Sequence, residues 1–295
     1  MNHEQFEQIA RGTGFIAALD QSGGSTPGAL ARYGIPHESY SDDDEMFELM
    51  HEMRTRIITN PSFSGDRILA TILFEDTIDR QIEGIGSAEY VWTRKHVVPF
   101  LKVDKGLANE VDGARCMNPM PELDTLLAKG ARKGVFGTKM RSFIHLANPS
   151  GIAAVLDQQF AIARRISATG LVPIMEPEID ITSPEKQAAE TLLEDALARR
   201  LDELAPSENV ILKLTLPEHD DLYAPLMAHA NVLRVAALSG GYSHKEATER
   251  LARNHGMIAS FSRGLTEGLS VTMSDEEFTK ALDRSIAEIY AASIT

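Results

Sequence analysis

Two short runs near the middle of the chain combine strand-like apolar residues with charged ones. Gly170-Leu-Val-Pro-Ile-Met-Glu-Pro-Glu178 carries two carboxylates, and Asn209-Val-Ile-Leu-Lys-Leu-Thr-Leu216 carries one lysine, Lys213. A buried ammonium group is costly unless it is paired, so a lysine flanked by Ile and Leu needs a reason. Desolvation frees a lysine amine to attack a carbonyl, and neighbouring carboxylates can transfer the protons. The two runs together predict covalent chemistry through a lysine Schiff base.

The same residues also allow simpler interpretations. Lys213 could extend its ammonium group to the surface past an apolar stem. Glu176 and Glu178 lie two apart and would face the same side of a strand, where they repel unless cations such as Lys139 and Lys213 lie nearby. A purely structural ion-pair cluster would show the same pattern. The two runs alone leave these alternatives open.

Eight apolar runs of strand length must position these side chains. They lack strict alternation, which is typical of strands buried on both faces. Helical patterns with start residues such as Ser183-Pro184 and Ser274 lie between them. This order predicts a single-domain α/β protein over residues 1–295, a (β/α)₈ TIM barrel, with an open α/β sheet as the alternative. The predicted strands are residues 14–19, 67–74, 97–103, 134–138, 170–175, 209–216, 231–238 and 257–261.

The chemistry collects where these strands end. A TIM barrel carries its active site at the C-terminal ends of its strands. Nearly every predicted strand delivers a charged or glycine-rich group there. In chain order these groups are Asp20, Glu75, Lys102 with Lys105, Lys139 with Arg141, Glu176 with Glu178, Lys213, Ser239-Gly-Gly241 and Arg263. Glycine-rich backbone amides and an arginine late in a barrel can bind a phosphate, although each alone is weak evidence.

The composition excludes several classes of function. The 295 residues carry a formal charge of −14, so nucleic acid is not expected as a partner. No apolar run approaches the roughly 20 residues of a membrane span, and the N-terminus lacks the pattern of a signal peptide. The single cysteine excludes an intrachain disulfide, and the histidines show no metal-ligand spacing. We therefore expect a cytoplasmic protein with neither a membrane partner nor a metal site.

Seven motifs in sequence order resemble those of the class I, Schiff-base fructose-bisphosphate aldolases, and the shorter bacterial form is the most similar in length. One motif would be weak evidence, but seven spread over nearly the whole chain make a specific match. They are Ala17-Ala-Leu-Asp-Gln-Ser22, Leu101-Lys-Val-Asp-Lys-Gly106, Thr138-Lys-Met-Arg141, Val172-Pro-Ile-Met-Glu-Pro-Glu178, Ile211-Leu-Lys213, Leu238-Ser-Gly-Gly241 and Phe261-Ser-Arg263.

The resemblance implies a role for each catalytic residue. Lys213 would form the iminium with the substrate ketone, and Glu176 would handle the protons of iminium formation and release. Glu178 would lie beside Glu176 and hold the lysines. Asp20 would take the proton from the C4 hydroxyl, and Lys139 would assist carbinolamine formation. No cofactor is implied beyond the covalent Schiff base with the substrate.

The resemblance also implies a phosphorylated ketose, fructose 1,6-bisphosphate, as the bound partner. Its cleavage to dihydroxyacetone phosphate and glyceraldehyde 3-phosphate would belong to glycolysis or gluconeogenesis. Three lysines, Lys105, Lys139 and Lys213, would lie close enough for like-charge repulsion to lower the pKa of one. The remaining substrate-binding residues would be Arg141 along the sugar and, around the C1 phosphate, Ser239, Gly240, Gly241 and Arg263.

The chain departs from the family pattern after Gly24-Ser25. Many members carry a basic residue or pair there, whereas this chain has Gly28, with Arg32 the nearest cation. The substitution leaves open how the C6 phosphate is held, and it motivates a second hypothesis, another ketose bisphosphate as substrate. A third hypothesis is a phosphosugar-binding or scaffold protein with little turnover. The sequence leaves the oligomeric state open, a homo-oligomer included.

Overall fold

A closed barrel of eight parallel strands forms the centre of the computed structural model, which describes residues 2–295. Each strand pairs in parallel with the next, and the last pairs with the first through Ile16–Ser260 and Ala17–Phe261. The (β/α)₈ prediction is therefore confirmed, and the open-sheet alternative is wrong. The strands are β1 (Phe15–Leu19), β2 (Ile68–Leu73), β3 (Val98–Lys102), β4 (Gly137–Ile144), β5 (Val172–Ile179), β6 (Val210–Thr215), β7 (Val232–Leu238) and β8 (Ile258–Phe261).

Helices surround the barrel and connect its strands. Within residues 2–295 they are α1 (His3–Arg11), α2 (Thr26–Tyr33), α3 (Asp43–Thr59), α4 (Glu75–Asp79), α5 (Ser87–Thr93), α6 (Leu123–Arg132), α7 (Pro149–Ala168), α8 (Lys186–Leu201), α9 (Ala224–Met227), α10 (His244–Ala252), α11 (Arg263–Thr266) and α12 (Asp275–Ala292). A 3₁₀ turn spans His37–Ser39, Gln81–Ile82 pairs with Ile85–Gly86, and Ala114–Arg115 pairs antiparallel with β4. None of the described helices combines the length and apolarity needed to cross a bilayer.

Two hydrophobic cores hold these layers together. Outward-facing strand residues such as Met175 and Leu212 pack in the large core between strands and helices. Inward-facing residues such as Ile174 and Ile211 form a separate core inside the barrel, which Ile9 of α1 joins at the N-terminal ends of the strands. Because side chains alternate between the two faces of a strand, every strand must be apolar on both sides. This explains the continuous apolar runs of the sequence.

Two strands are longer than predicted, and this changes where the charges lie. The prediction ends β4 at residue 138 and β5 at residue 175, but they continue to Ile144 and Ile179. Lys139, Arg141, Glu176 and Glu178 therefore lie within strands rather than beyond their ends. In the register of the pair, Arg141 lies beside Glu176. Rigid strand backbone thus positions four charged side chains that were expected at the strand ends.

Five of the twelve helices within residues 2–295, α1, α3, α7, α10 and α12, begin with a side-chain N-cap. Ser274 accepts from the backbone N–H of Glu277, whose side chain bonds back to Ser274, so the predicted cap of α12 is confirmed. At α8 the prediction is wrong, since Pro184 lies in the preceding turn and the helix begins at Lys186. The shift is small and moves no residue of the site.

Candidate active site

A cavity of about 670 Å³ opens at the C-terminal ends of the strands. Six basic and four acidic side chains line it, although the whole chain carries a net charge of −14. Its local charge therefore favours an anionic ligand, as the barrel geometry predicts. The lining residues are Asp20, Gln21, Ser22, Gly24, Ser25, Gly28, Arg32, Lys102, Asp104, Gly106, Lys139, Arg141, Glu176, Glu178, Lys213, Leu238, Ser239, Gly240, Ser260, Ser262 and Arg263.

A chain of ion pairs joins four strands at the floor of this cavity. Nζ of Lys213 on β6 lies 2.8 Å from Oε1 of Glu176 on β5. The other oxygen of Glu176, Oε2, lies 2.9 Å from Nζ of Lys139 on β4. The same ammonium group lies 2.7 Å from Oδ2 of Asp20, which directly follows β1. The four groups therefore alternate in charge, and protons can move between neighbours without crossing open water.

Burial and pairing act in opposite directions on these groups. All four residues are at most 8% exposed. Burial by itself would raise the pKa of Asp20 and of Glu176, but Lys139 and Lys213 outweigh it, and both pKa values are lowered. Burial would lower the pKa of Lys139, yet Asp20 and Glu176 raise it well above its usual range. The pKa of Lys139 is therefore raised rather than lowered, because two carboxylate oxygens lie within 2.9 Å of its ammonium group.

Glu178 occupies a different environment from Glu176. It pairs with Nε of Arg141 and makes no ion pair with a lysine within residues 2–295. Burial raises the pKa of Glu178 despite the opposing effect of Arg141. The guanidinium carbon of Arg141 also lies 5.4 Å from the ring centroid of Phe143. Glu178 and Arg141 thus form their own pair on the wall of the cavity, next to the four-residue chain.

The loop after β7 contains two adjacent glycines in conformations that other residues rarely adopt. Gly240 and Gly241 have φ angles of 60° and 131°, which a residue with a side chain rarely adopts. A Cβ atom at Gly240 would lie 2.6 Å from Cγ2 of Ile181, so no side chain fits there. At Gly241 the Cβ position lies 3.7 Å from Nη2 of Arg263. Ser239, Gly240 and Arg263 therefore line the same cavity, and Gly241 lies next to Arg263.

Comparison with known proteins identifies the family. The family model described as "Fructose-bisphosphate aldolase class-I" matches residues 6–217. A fructose-bisphosphate aldolase class 1 of Synechocystis sp. is 61% identical over 294 residues, covering all of this chain and 98% of that protein. The class 1 enzyme of Clostridium acetobutylicum is 53% identical over the full length of both. The chain belongs to the class I fructose-bisphosphate aldolase family.

A solved structure supports the fold of this aldolase family member independently. Fructose-bisphosphate aldolase of Plasmodium falciparum, determined in complex with TRAP and a small-molecule inhibitor, superimposes with a TM-score of 0.74. The alignment covers 98% of this chain and 93% of that chain at 20% identity. At that identity the likeness concerns the barrel alone.

Lys105 is the one predicted site residue that the structure keeps apart from the others. Its Nζ lies 2.8 Å from Oε2 of Glu75, whose Oε1 lies 2.7 Å from Nζ of Lys129. Lys105 lines a separate cavity of about 460 Å³ beside α6. Glu75, listed among the charged strand ends, likewise points away from the aldolase cavity. Both residues lie beyond the ends of their strands, where the loop direction decides which way a side chain points.

Lys102 lines the aldolase cavity, although the resemblance gave it no role. Its Nζ donates to the backbone oxygen of Asp104 at 2.9 Å and lies 2.8 Å from Oδ1 of the same residue. The side chains of both residues are almost completely buried. Oδ2 of Asp104 has no hydrogen-bond partner within residues 2–295. The sequence carries the same indication as for Lys213, a lysine in an apolar strand.

Arg54 supports the cavity from behind and was missed by the sequence. This buried side chain donates Nη1 to Oγ1 of Thr77 at 2.7 Å and Nη2 to the backbone oxygen of Gln21. The amide of Gln21 in turn donates to Oγ of Ser262 at 2.8 Å, which links the loops after β1 and β8. Burial lowers the pKa of Arg54 to about 10 against the opposing effect of Asp20. An arginine within a helix that also carries Glu52 and Arg56 gives no sequence sign of such burial.

Proposed function

We propose that this chain catalyses the reversible aldol cleavage of fructose 1,6-bisphosphate to dihydroxyacetone phosphate and glyceraldehyde 3-phosphate, through a Lys213 iminium. The observation that supports it most directly is the buried Lys213–Glu176 contact of 2.8 Å inside an anion-favouring cavity. A structural ion-pair cluster would not require a cavity of this size above it. Membership in the class I aldolase family supplies the reaction and the substrate.

The first step is iminium formation at the substrate's C2 ketone. Lys213 must lose a proton before its amine can attack, and Oε1 of Glu176 lies within hydrogen-bond distance to accept it. Nζ attacks C2 to give a carbinolamine, whose hydroxyl leaves as water after protonation. Lys139 contacts the other oxygen of Glu176. It stabilises the negative charge of Glu176 whenever that carboxylate has passed its proton to the substrate. Two carboxylate oxygens thus serve two different amines.

The second step breaks the C3–C4 bond. Asp20 accepts the proton of the C4 hydroxyl, the C3–C4 electron pair moves into the iminium, and glyceraldehyde 3-phosphate leaves. The lowered pKa of Asp20, caused by Lys139 and Lys213 against the effect of burial, keeps this carboxylate ionised and able to accept. Protonation of the enamine at C3 and hydrolysis then release dihydroxyacetone phosphate and restore Lys213. In the reverse direction Asp20 returns its proton to the new hydroxyl.

Substrate binding uses the remaining charged and glycine residues. We propose that Ser239, Gly240, Gly241 and Arg263 hold the C1 phosphate, since amides and a guanidinium meet there. Arg141 would contact the sugar from the wall that it shares with Glu178. Lys105 could take its implied place along the substrate only after leaving Glu75, from which it lies 2.8 Å.

Borohydride trapping tests the proposal. The protein is mixed with dihydroxyacetone phosphate, reduced with borohydride and mapped by peptide mass spectrometry. We expect a single adduct on Lys213, because the resemblance gives this lysine the role of nucleophile and Lys139 is held charged between two carboxylates. An unmodified Lys213 would overturn the proposed mechanism. Specificity constants for fructose, tagatose and sedoheptulose bisphosphates decide the substrate, and negligible turnover of all three would favour a binding or scaffold role.

Metal independence is a further part of the proposal. Within residues 2–295, no three His, Cys, Asp or Glu side chains are grouped so as to hold a metal ion. Cleavage is expected to continue at the same rate after prolonged dialysis against EDTA. Activity that is lost to the chelator and restored by a divalent cation would contradict this part.

We also propose a cytoplasmic location, with a phosphorylated ketose as the partner.

A further inference from the structure

Two arginines in the aldolase cavity lack the carboxylate partner that each of its other cations has within residues 2–295. Lys102, Lys139, Arg141 and Lys213 each lie within 4.0 Å of a carboxylate oxygen. Arg32 and Arg263 also line the cavity, but neither has such a partner within residues 2–295. An unpaired guanidinium group is free to bind an added anion, bidentately in the case of a phosphate. A bisphosphate brings two such anions, so the number of free arginines matches the number of phosphates.

The two arginines lie on different elements with different neighbours. Arg263 begins α11 after β8 and approaches the glycine turn after β7, where Nη2 lies 3.7 Å from the Cβ position of Gly241. Arg32 belongs to α2, which follows β1. The first arginine therefore completes the phosphate space already described. The second belongs to the part of the cavity lined by the turn that precedes α2.

Gly28 determines where the guanidinium of Arg32 can lie. The two residues are four apart on α2, so they share a helix face, and long helical side chains lean toward the N-terminus. A Cβ atom placed on Gly28 would have one neighbour within 4 Å outside the helix backbone, Nη1 of Arg32 at 3.5 Å. The missing side chain at position 28 thus leaves the space into which Arg32 folds. A long basic residue at position 28 would occupy that same space.

The surrounding turn suits an anion as well. Ser22, Gly24 and Ser25 line the cavity directly before α2, and Ser25 Oγ donates to the backbone oxygen of Ser22 at 3.0 Å. The dipole at the start of α2 adds to the positive charge of Arg32, while the N–H groups of Ser25 and Thr26 already donate to the backbone oxygen of Ser22.

We infer that Arg32 binds the C6 phosphate of the ketose bisphosphate, in the space that Gly28 leaves open, and so replaces the basic residue that many family members carry at position 28. The inference rests on the proposed function and assigns one further specificity-determining residue to the same cavity.

Steady-state kinetics with two sugars tests this assignment. Fructose 1-phosphate carries the C1 phosphate but lacks the C6 phosphate, so it reports on every step except C6 binding. We expect Arg32→Ala to lower kcat/KM for fructose 1,6-bisphosphate about tenfold to a hundredfold, the usual loss for a hydrogen bond to a charged group. Its kcat/KM for fructose 1-phosphate should stay within about twofold of wild type. Arg263→Ala should lower both values.

Control variants separate this effect from general damage. Arg11→Ala removes an arginine whose side chain is 80% exposed and lies outside the cavity. It should leave kcat/KM unchanged for both sugars. Gly28→Lys in the Arg32→Ala background should recover part of the bisphosphate preference, since it returns a cation to the same space.

Four results would overturn the inference. An equal loss on both sugars for Arg32→Ala would remove the C6 assignment, and unchanged kinetics would do the same. No recovery by Gly28→Lys would contradict a role based on charge. Wild-type protein that cleaves neither sugar would overturn the proposed function itself, and the assignment of Arg32 with it.

Discussion

The two ends of the barrel interior differ in chemistry although the same strands build both. On β5 the inward residue changes from Ile174 to Glu176, and on β6 it changes from Ile211 to Lys213. The lower layer is closed by Ile9 of α1 and consists of apolar side chains apart from Arg234, whose guanidinium donates to the backbone oxygens of Ile9 and Gly12. The upper layer contains buried charges under an open cavity. A step of two residues along a strand therefore separates a layer that stabilises the fold from one that performs chemistry.

The difference shows what it takes to keep charges inside a barrel. Each buried ionic group in the upper layer touches one or two groups of opposite sign, which offsets the cost of desolvation. The lower layer has no such dependence, because each apolar residue contributes through the area that it buries. Removal of one charge should therefore disturb its partners, whereas trimming of one apolar residue should act locally. The following changes test that contrast.

The largest expected effect is that of Lys213→Met. Without the nucleophilic amine no iminium can form, so kcat should fall by at least about 10⁴-fold and borohydride should trap no adduct. Lys213→Arg is the matched control, since it keeps a positive charge beside Glu176 but offers no nucleophilic amine. It should lose the adduct as completely while retaining more stability than the methionine variant. A reducible adduct that survives in either variant would exclude Lys213 as the nucleophile.

Glu176→Gln should have the second largest effect. The amide keeps the shape of the side chain but cannot accept the proton of Lys213, so kcat should fall by roughly 10²–10⁴-fold. The rate of borohydride trapping in a single turnover should fall with it. Glu178→Gln is the comparison, because Glu178 contacts Arg141 and not the lysines, and its loss should be smaller. Full activity of Glu176→Gln would remove this carboxylate from proton transfer.

The sequence predicts the barrel and the upper layer to different extents. Runs buried on both faces predict all eight strands, and Lys213 is recognisable because an ammonium group is rare among Ile and Leu. The ends of β4 and β5 cannot be recognised from the sequence, because Lys139 and Glu176 look like exposed residues until their partners on neighbouring strands are known. Lys105 shows the same limit, since only the course of the loop after β3 reveals that its side chain points away from the cavity.

Lys139→Met should alter stability and its pH dependence. In the wild type the lowered pKa values of Asp20 and Glu176 mean that the unfolded chain binds more protons, so stability falls as the pH drops below about 4.5. Without Lys139, burial dominates and raises these pKa values. The free energy of unfolding should fall by about 3 kcal/mol at pH 7 and recover as the pH is lowered toward 5.

Urea unfolding at pH 5 and pH 7.5 measures how the free energy of unfolding depends on pH, which we expect to be higher at pH 5 than at pH 7.5 for Lys139→Met. Lys245→Met provides the control, since that side chain is 84% exposed and its loss should cost less than about 0.5 kcal/mol at either pH. A Lys139→Met profile parallel to the wild-type profile would show that Lys139 does not set the charge state of the two carboxylates.

The smallest effect is expected from Ile211→Val, one layer below Lys213 on the same face of β6. Removal of one buried methylene from a fully buried residue should lower the free energy of unfolding by about 1 kcal/mol. Adduct formation at Lys213 should remain within about twofold of wild type, because the ion pairs above do not depend on that methylene. The measurement is urea unfolding alongside borohydride trapping. A large loss of trapping with little loss of stability would show that the two layers are mechanically coupled, and the contrast between them would then no longer hold.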